Sequence, residues 1–421
     1  MSKQLTLHDA VAGLIAGGRA ILALDGTLKK RIAHAARSEA QMIEDAVYRY
    51  REIWDPPHPL PATSITHPHA TSLTPCVSVV VPAHNAERYV AATVRSVLEQ
   101  RGTDLEVLVV DDGSTDRTVG EVRAIDDPRV TVISIVASEG PGRARNIGVR
   151  RARAPYVSLL DADDLLKPGK LAASVAALDR CPSAGFAFGD FERMDEDGNV
   201  FETSTTYAYP ALQHIKSQPV GEDWRLVPQA ELARALVYEN FIGTSGIVIR
   251  RDLAMTLGGF DETLENAEDV DLWFRFAHRC DALYCADVGH ACREETAGVV
   301  RGSLPIRNAL FRIEALRRER ARWRGGPERR QLDRRIALNL ETIGYFELLR
   351  GERWRAMRSY LHALAVSPER SAIFNTLLTH AISRGIPGRG VLRKGRRGHI
   401  DPAATEASGR AGLSAAPSIE R

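Results

Sequence analysis

The stretch LEVLVVDDGSTDRT, residues 105–118, sets a short, nearly continuous apolar run directly ahead of two acids, a glycine and a serine. A run of that length, bounded by turn residues, fits a strand buried on both faces that hands over to a helix. Three more runs repeat the pattern: CVSVVVP from residue 76, VTVISIV from residue 130 and YVSLL from residue 156. The segments 86–101, 115–126 and 141–153 between them have helical character. Strand and helix in alternation predict an α/β fold with a mostly parallel sheet flanked by helices. Further strands are expected at GFAFGDF (185–191) and GIVIRR (246–251), and a helix over DVDLWFRFAHRC (269–280).

Outward from this core the chain changes character. Its 421 residues are enough for two or three domains. Residues 6–54 read as amphipathic helix, which gives a helical N-terminal extension over 1–54. Residues 55–75 are rich in Pro, Thr and His and read as a linker, with His58, His67 and His69 solvated in it. The sheet domain then spans 76–300, a helical C-terminal region 301–384, and a basic tail 385–421. With 56 Lys and Arg against 54 Asp and Glu, the net charge of +2 supplies no field that would argue for nucleic acid. The five cysteines include no Cys-x-x-Cys pair, which fits reduced thiols better than disulfides or a zinc site. The N-terminus makes a poor signal peptide, and no apolar run approaches the roughly 18 residues of a spanning helix. The expectation is a cytoplasmic protein, at most peripheral at the membrane face, where the cluster GRGVLRKGRRGHI (388–400) could meet anionic headgroups.

In open parallel sheets, ligands bind beyond the carboxyl ends of the strands. Three runs end there in polar residues: PAHN (82–85), DDGSTD (111–116) and DADD (161–164). Each alone is ordinary turn chemistry; together they make a polar rim. Carboxylates as close as Asp161, Asp163 and Asp164 repel one another, and a hard divalent cation shared with substrate phosphates is the usual compensation.

The ordered set VSVVVPAHN, VLVVDDGSTDRT, EGPGRARNIGVRRARAPYVSLLDADD, GTSGIVIRRDL, GGFDETL and EDVDLWFR resembles glycosyltransferase family 2 over residues 76 to about 295. The resemblance implies a Rossmann-like GT-A fold and a nucleoside diphosphate sugar donor, most often UDP-linked. It also implies inversion at the anomeric carbon, a Mg2+ or Mn2+ cofactor, and a glycan, lipid-linked or protein acceptor. Carried over by position, Pro82 and His84 lie beside the nucleobase, and Asp112, with Asp111 as its neighbour, accepts from it. Arg145 and Asn146 match the segment near donor phosphates or sugar, Asp161 and Asp163 the metal-binding DxD, and Asp269 the catalytic base. Glu268, Asp269 and Asp271 equally suit the electrostatics of a helix start, while Trp273 and Arg275 are expected to pack and pair. The family's Tyr-Arg-x-His segment is replaced by CREE (292–295), with Glu295 where the histidine falls and His290 as an alternative third ligand.

Other readings explain less. A dehalogenase-like phosphatase leaves PAHN and DDGSTD without a role, and GPGRARN lacks the third glycine of a dinucleotide fingerprint. A degenerate transferase serving as an assembly protein draws on ETIGYFELLRGERWRAMRSYLHALAVSP (341–368), which resembles a tetratricopeptide unit. Retention of Asp112, Asp161, Asp163 and Asp269 argues against that loss of activity.

Overall fold

The computed structural model describes residues 64–66, 74–136, 138–294 and 304–370. The helical reading of 1–54, the basic tail and Glu295 lie outside the described residues. In chain order the strands are β1 (Ser64–Thr66), β2 (Val77–Ala83), β3 (Leu105–Asp112), β4 (Val130–Ile135), β5 (Tyr156–Leu159), β6 (Leu165–Leu166), β7 (Ala184–Met194), β8 (Val200–Glu202), β9 (Gln218–Val220), β10 (Trp224–Val227), β11 (Val248–Arg250) and β12 (Asp281–Arg293). The α-helices are α1 (Val90–Leu98), α2 (Thr118–Arg123), α3 (Pro141–Arg151), α4 (Lys170–Arg180), α5 (Pro210–Gln213), α6 (Gln229–Tyr238), α7 (Arg251–Thr256), α8 (Glu268–Ala277), α9 (Leu304–Arg322), α10 (Gly326–Leu349) and α11 (Arg353–Val366).

The four apolar runs become β2 to β5. Strand β2 pairs in parallel with β3 on one side and β5 on the other, and β3 pairs in parallel with β4. Every residue of β2 and β3 is buried, as helices on both faces require. The strand order reverses at the β2/β5 pair, so the carboxyl ends of β2, β3 and β5 share one rim at a topological switch point. Helix α3 lies directly on this sheet: a Cβ at Gly148 would stand 2.2 Å from Val80 Cγ1.

Beyond β5 the sheet is mixed. Strand β11 runs antiparallel between β5 and β7, and β10 and β9 continue antiparallel at the far edge. The longest ladder, β7 with β12, is parallel and broken by irregularities between Cys285, Val288 and His290. Strand β12 had no clear signal in the sequence, because DALYCADVGHACR loses its alternation at that irregular stretch. Three residues of the expected linker also contribute, as β1 on the outer edge of β4.

The C-terminal helices dock on the sheet domain through ion pairs. Arg318 of α9 donates to Asp261 at 2.6 Å and to Asp271 at 3.3 Å. Buried Glu319 accepts from Trp323 Nε1 at 2.7 Å and pairs with His278 Nε2 at 2.8 Å. Helices α10 and α11 pack closely where Gly344 meets the Tyr360 ring. All five cysteines are free thiols.

Candidate active site

Asp112 ends β3 with both carboxylate oxygens engaged. Oδ1 accepts the Glu139 N–H, and Oδ2 accepts the Gly140 N–H and the Ser138 hydroxyl, each at 2.9 Å. These donors precede the first turn of α3, where negative charge is favoured. Its carboxylate ties the β4–α3 loop to β3, because the loop brings three donors to it. Asp111 Oδ1 accepts the Ser114 N–H at 3.2 Å and shapes the turn. Pro82 is buried within β2, opposite Val110. His84 is exposed on the rim, its Nδ1 2.7 Å from the Asp112 carbonyl oxygen. Asn85 then latches the two loops: its N–H donates to Ser114 Oγ and its Oδ1 accepts the Thr115 N–H, both at 2.9 Å.

The second cluster is built on charge. Arg145, on α3, is buried and donates from Nη2 to Asp161 Oδ1 and from Nη1 to Glu268 Oε1, both at 2.7 Å. Burial opposes its charge, but Asp161 and Glu268 outweigh that and hold the guanidinium above its ordinary range. Arg145 therefore bridges two acids, one at the end of β5 and one at the start of α8. Asn146 is held just as firmly. Its Oδ1 accepts the Phe260 N–H at 2.8 Å and its Nδ2 donates to the Phe260 carbonyl at 2.9 Å, which fixes the loop before α8. Gly259, at φ +68°, leaves the room: a Cβ there would lie 2.3 Å from Asn146 Oδ1.

Asp161 follows β5, its N–H held by Ser245 Oγ at 3.0 Å and its side chain 37% exposed. Asp163 is half-buried, and its carbonyl accepts Arg293 Nε at 3.0 Å. Asp269 stands in the first turn of α8 behind Ala267, which takes the left-handed φ of 63°. Its Oδ1 accepts the Val270 N–H at 2.7 Å. Burial first, then the charge of Glu268, push its carboxyl up to about 6. Trp273 is fully buried against Phe186, and Arg275 pairs with Asp271 at 2.8 Å, the packing and pairing roles expected of them.

Three contributors had no assigned partner in the sequence. Glu268 holds Arg145 across 123 positions. Buried Asp164 accepts the Arg293 N–H at 2.8 Å, its carboxyl pushed up to about 7 by burial and by Asp161 and Asp163. Arg293, in the CREE segment, also donates to the carbonyls of Asp195 and Glu196 and lies 4.4 Å from the Tyr89 ring centre. The DADD motif marked Asp164; nothing local marked the partners. His290 is buried and stacked on Phe191 at 5.1 Å, and burial lowers its pKa to about 3.

Residues 78–255 match the model of glycosyl transferase family 2. The succinoglycan biosynthesis protein ExoO of Rhizobium meliloti (strain 1021) is 31% identical over 254 residues, 59% of this chain and 68% of that one. The chain belongs to glycosyltransferase family 2. Chondroitin synthase of Escherichia coli is 29% identical over 205 residues, of which the matched part spans 26% of that longer protein. Among solved structures, S. aureus TarS 1–349 in complex with UDP-GlcNAc aligns at a TM-score of 0.49 and 19% identity, covering 73% of this chain and 87% of that one. The mannosyltransferase PcManGT from Pyrobaculum calidifontis, with GDP-Man and Mn2+, aligns at 0.46 and 20% identity over 90% of this chain and 91% of that one.

For a family 2 member the donor set at the rim suits magnesium or manganese. Asp161 gives one oxygen to Arg145 and stays partly exposed, and Asp163 stands two residues on. No group of three or more His, Cys, Asp and Glu gathers at ligating geometry among the described residues. One or two carboxylates completed by diphosphate oxygens and water is the ordinary magnesium arrangement.

Proposed function

We propose that this glycosyltransferase moves a sugar from a nucleoside diphosphate sugar, UDP-linked, to a hydroxyl of a glycan, lipid-linked or protein acceptor, with inversion and with a divalent metal. The observation that carries the reading is the Asp161–Arg145–Glu268 bridge, which ties the end of β5 to the start of α8 and so fixes Asp269 relative to the DxD. The acceptor hydroxyl oxygen attacks the anomeric carbon while the bond from that carbon to the diphosphate breaks. Asp269 takes the hydroxyl proton. With its carboxyl raised to about 6, Asp269 is ionised at neutral pH yet basic enough to accept it. Oδ1 is oriented by the Val270 N–H, which leaves Oδ2 for the proton.

Asp161 and Asp163 would hold a Mg2+ or Mn2+ ion whose chemistry is to neutralise charge on the departing diphosphate. Arg145 orients Asp161, and Arg293 orients the backbone of Asp163. His84 lies on the rim where a base would enter, and Asp112 steadies the loop beneath α3. Inversion is what membership of family 2 implies, and a carboxylate base at Asp269 suits direct displacement by the acceptor hydroxyl. The helical pair α10–α11 is read as a cap of one tetratricopeptide-like unit on a cytoplasmic enzyme.

The deciding experiment measures nucleoside diphosphate release by the folded chain across UDP-, GDP- and dTDP-sugars, with Mg2+, Mn2+ or chelator. Release with at least one donor that chelator abolishes is expected. Donor cleavage at undiminished rate in chelator would remove the metal, and none with any donor would remove the transferase reading.

A further inference from the structure

Four large apolar side chains protrude from the last two helices. Leu338, Tyr345 and Leu349 of α10 are 51, 50 and 63% exposed, and Trp354 at the start of α11 is 64% exposed. Spacings of seven and four residues put the first three on one face of α10, within about 40° of one another at 3.6 residues per turn. A soluble helix normally turns such a stripe inward.

The helical region that carries the stripe is basic as a whole. Residues 304–366 hold fifteen arginines and no lysine against seven Asp and Glu, a balance of +8, so with the whole chain at +2 the remainder carries −6. Arg334 shares the Leu338 face, and Arg350, Arg353, Arg355 and Arg358 are exposed close in sequence to Leu349 and Trp354. Two of them, Arg334 and Arg355, pair with Glu369 and Glu352 at the surface, contacts weak enough to be exchanged.

Protruding Trp, Tyr and Leu side chains among arginines match one occupant well. Rings and leucines settle at the headgroup and acyl boundary while guanidinium groups engage lipid phosphates. A second copy presenting the same face would set two arginine-rich surfaces against each other, and an apolar partner would leave the arginines without counter-charge. No helix among the described residues is long and apolar enough to cross a membrane, so this contact lies on the surface.

We propose that the α10–α11 face, through Leu338, Tyr345, Leu349, Trp354 and the arginines beside them, docks the protein on an anionic lipid bilayer. The docking holds the chain against the surface without any step of sugar transfer, and it stands or falls separately from the transferase reading.

The test is co-sedimentation of the full chain with vesicles of phosphatidylcholine alone and of phosphatidylcholine mixed with phosphatidylglycerol. The parent is compared with the combined variant Leu338→Ser, Tyr345→Ser, Leu349→Ser and Trp354→Ser, and with Arg350→Glu, Arg353→Glu and Arg355→Glu. The parent should pellet with the anionic vesicles and not with the neutral ones, and each variant should bind at least tenfold more weakly. Circular dichroism and nucleoside diphosphate release from a soluble donor should stay at parental values, which separates lost docking from lost fold. Three results overturn the proposal: a parent that remains in the supernatant, variants that pellet like the parent, and a parent dimer that the apolar variant converts to monomer.

Discussion

Asp112 and Asp161 both stand just past or at the carboxyl end of a parallel strand on one rim, yet they are held by opposite physics. Asp112 is satisfied by two backbone N–H groups and a hydroxyl from one nearby loop. Asp161 is satisfied by a buried guanidinium that must also neutralise Glu268, and it keeps an exposed face. Neutral donors fix a loop and spread the carboxylate's charge over three hydrogen bonds. A buried cation shared between acids fixes two distant elements, and it leaves the DxD and Asp269 poised at their meeting point. The first arrangement builds a wall, and the second is where the proposed chemistry is centred.

The contrast predicts the largest effects on the charged side. On the proposed roles, Asp269→Asn removes the base and Asp163→Asn a metal carboxylate, so each should lower turnover by ~10³-fold with the far-UV spectrum unchanged. Steady-state nucleoside diphosphate release measures this, and near-parental turnover in either variant removes that residue from the machinery. Arg145→Met should cost about 3–5 kcal/mol of stability in denaturant unfolding, because it strands Glu268, 9% exposed, without its partner. Adding Glu268→Met should recover much of that stability, since an apolar pair of similar volume replaces a buried ion pair at little cost. A single variant within about 1 kcal/mol of the parent would mean the bridge holds nothing together.

On the neutral side the effect should be smaller. Asp112→Asn turns one acceptor oxygen into a donor facing N–H groups, and the broken hydrogen bonds should cost about 1–3 kcal/mol of stability. Because the 138–140 loop borders α3 and not Asp269, the donor KM should rise while kcat changes little. A fall in kcat with unchanged KM would place Asp112 with the reactive cluster instead.

The same contrast explains what the sequence disclosed. Strands β2 to β5 were legible because burial on both faces writes itself as unbroken apolar runs, and the positions of Asp161 and Asp163 past β5 and of Asp269 at a helix start followed from them. The partners of Asp112, Arg145 and Asn146, which are Glu139, Glu268 and Phe260, were not legible, since they lie in other segments and no local spacing encodes them. Strand β12 went unread for a related reason. Its irregular pairing around Asp287 and Gly289 destroys the period of two, and its burial is imposed by β7 and β10 on either side.

The finest test turns on sign. Asp269 has its carboxyl raised to about 6 in the folded protein, against about 3.9 in an unfolded chain. A raised acid binds its proton more tightly when folded, so its contribution to stability is fully present below about pH 4 and is lost as pH rises through about 6. Catalysis runs the other way: the rate should climb as Asp269 ionises through about pH 6 and level off above about pH 7. Asp269→Asn therefore ought to be more stable than the parent at pH 8, by about 1 kcal/mol once screening of the partly exposed carboxylate is allowed for, with less advantage at pH 5. Melting temperatures of both proteins at the two pH values read this directly, and a difference that fails to grow with pH removes the strain on Asp269. Asp112→Asn should be less stable than the parent at pH 8, because three donors there are arranged for a carboxylate. Opposite signs from one chemical change would separate an acid kept by its donors from one held ionised against its surroundings.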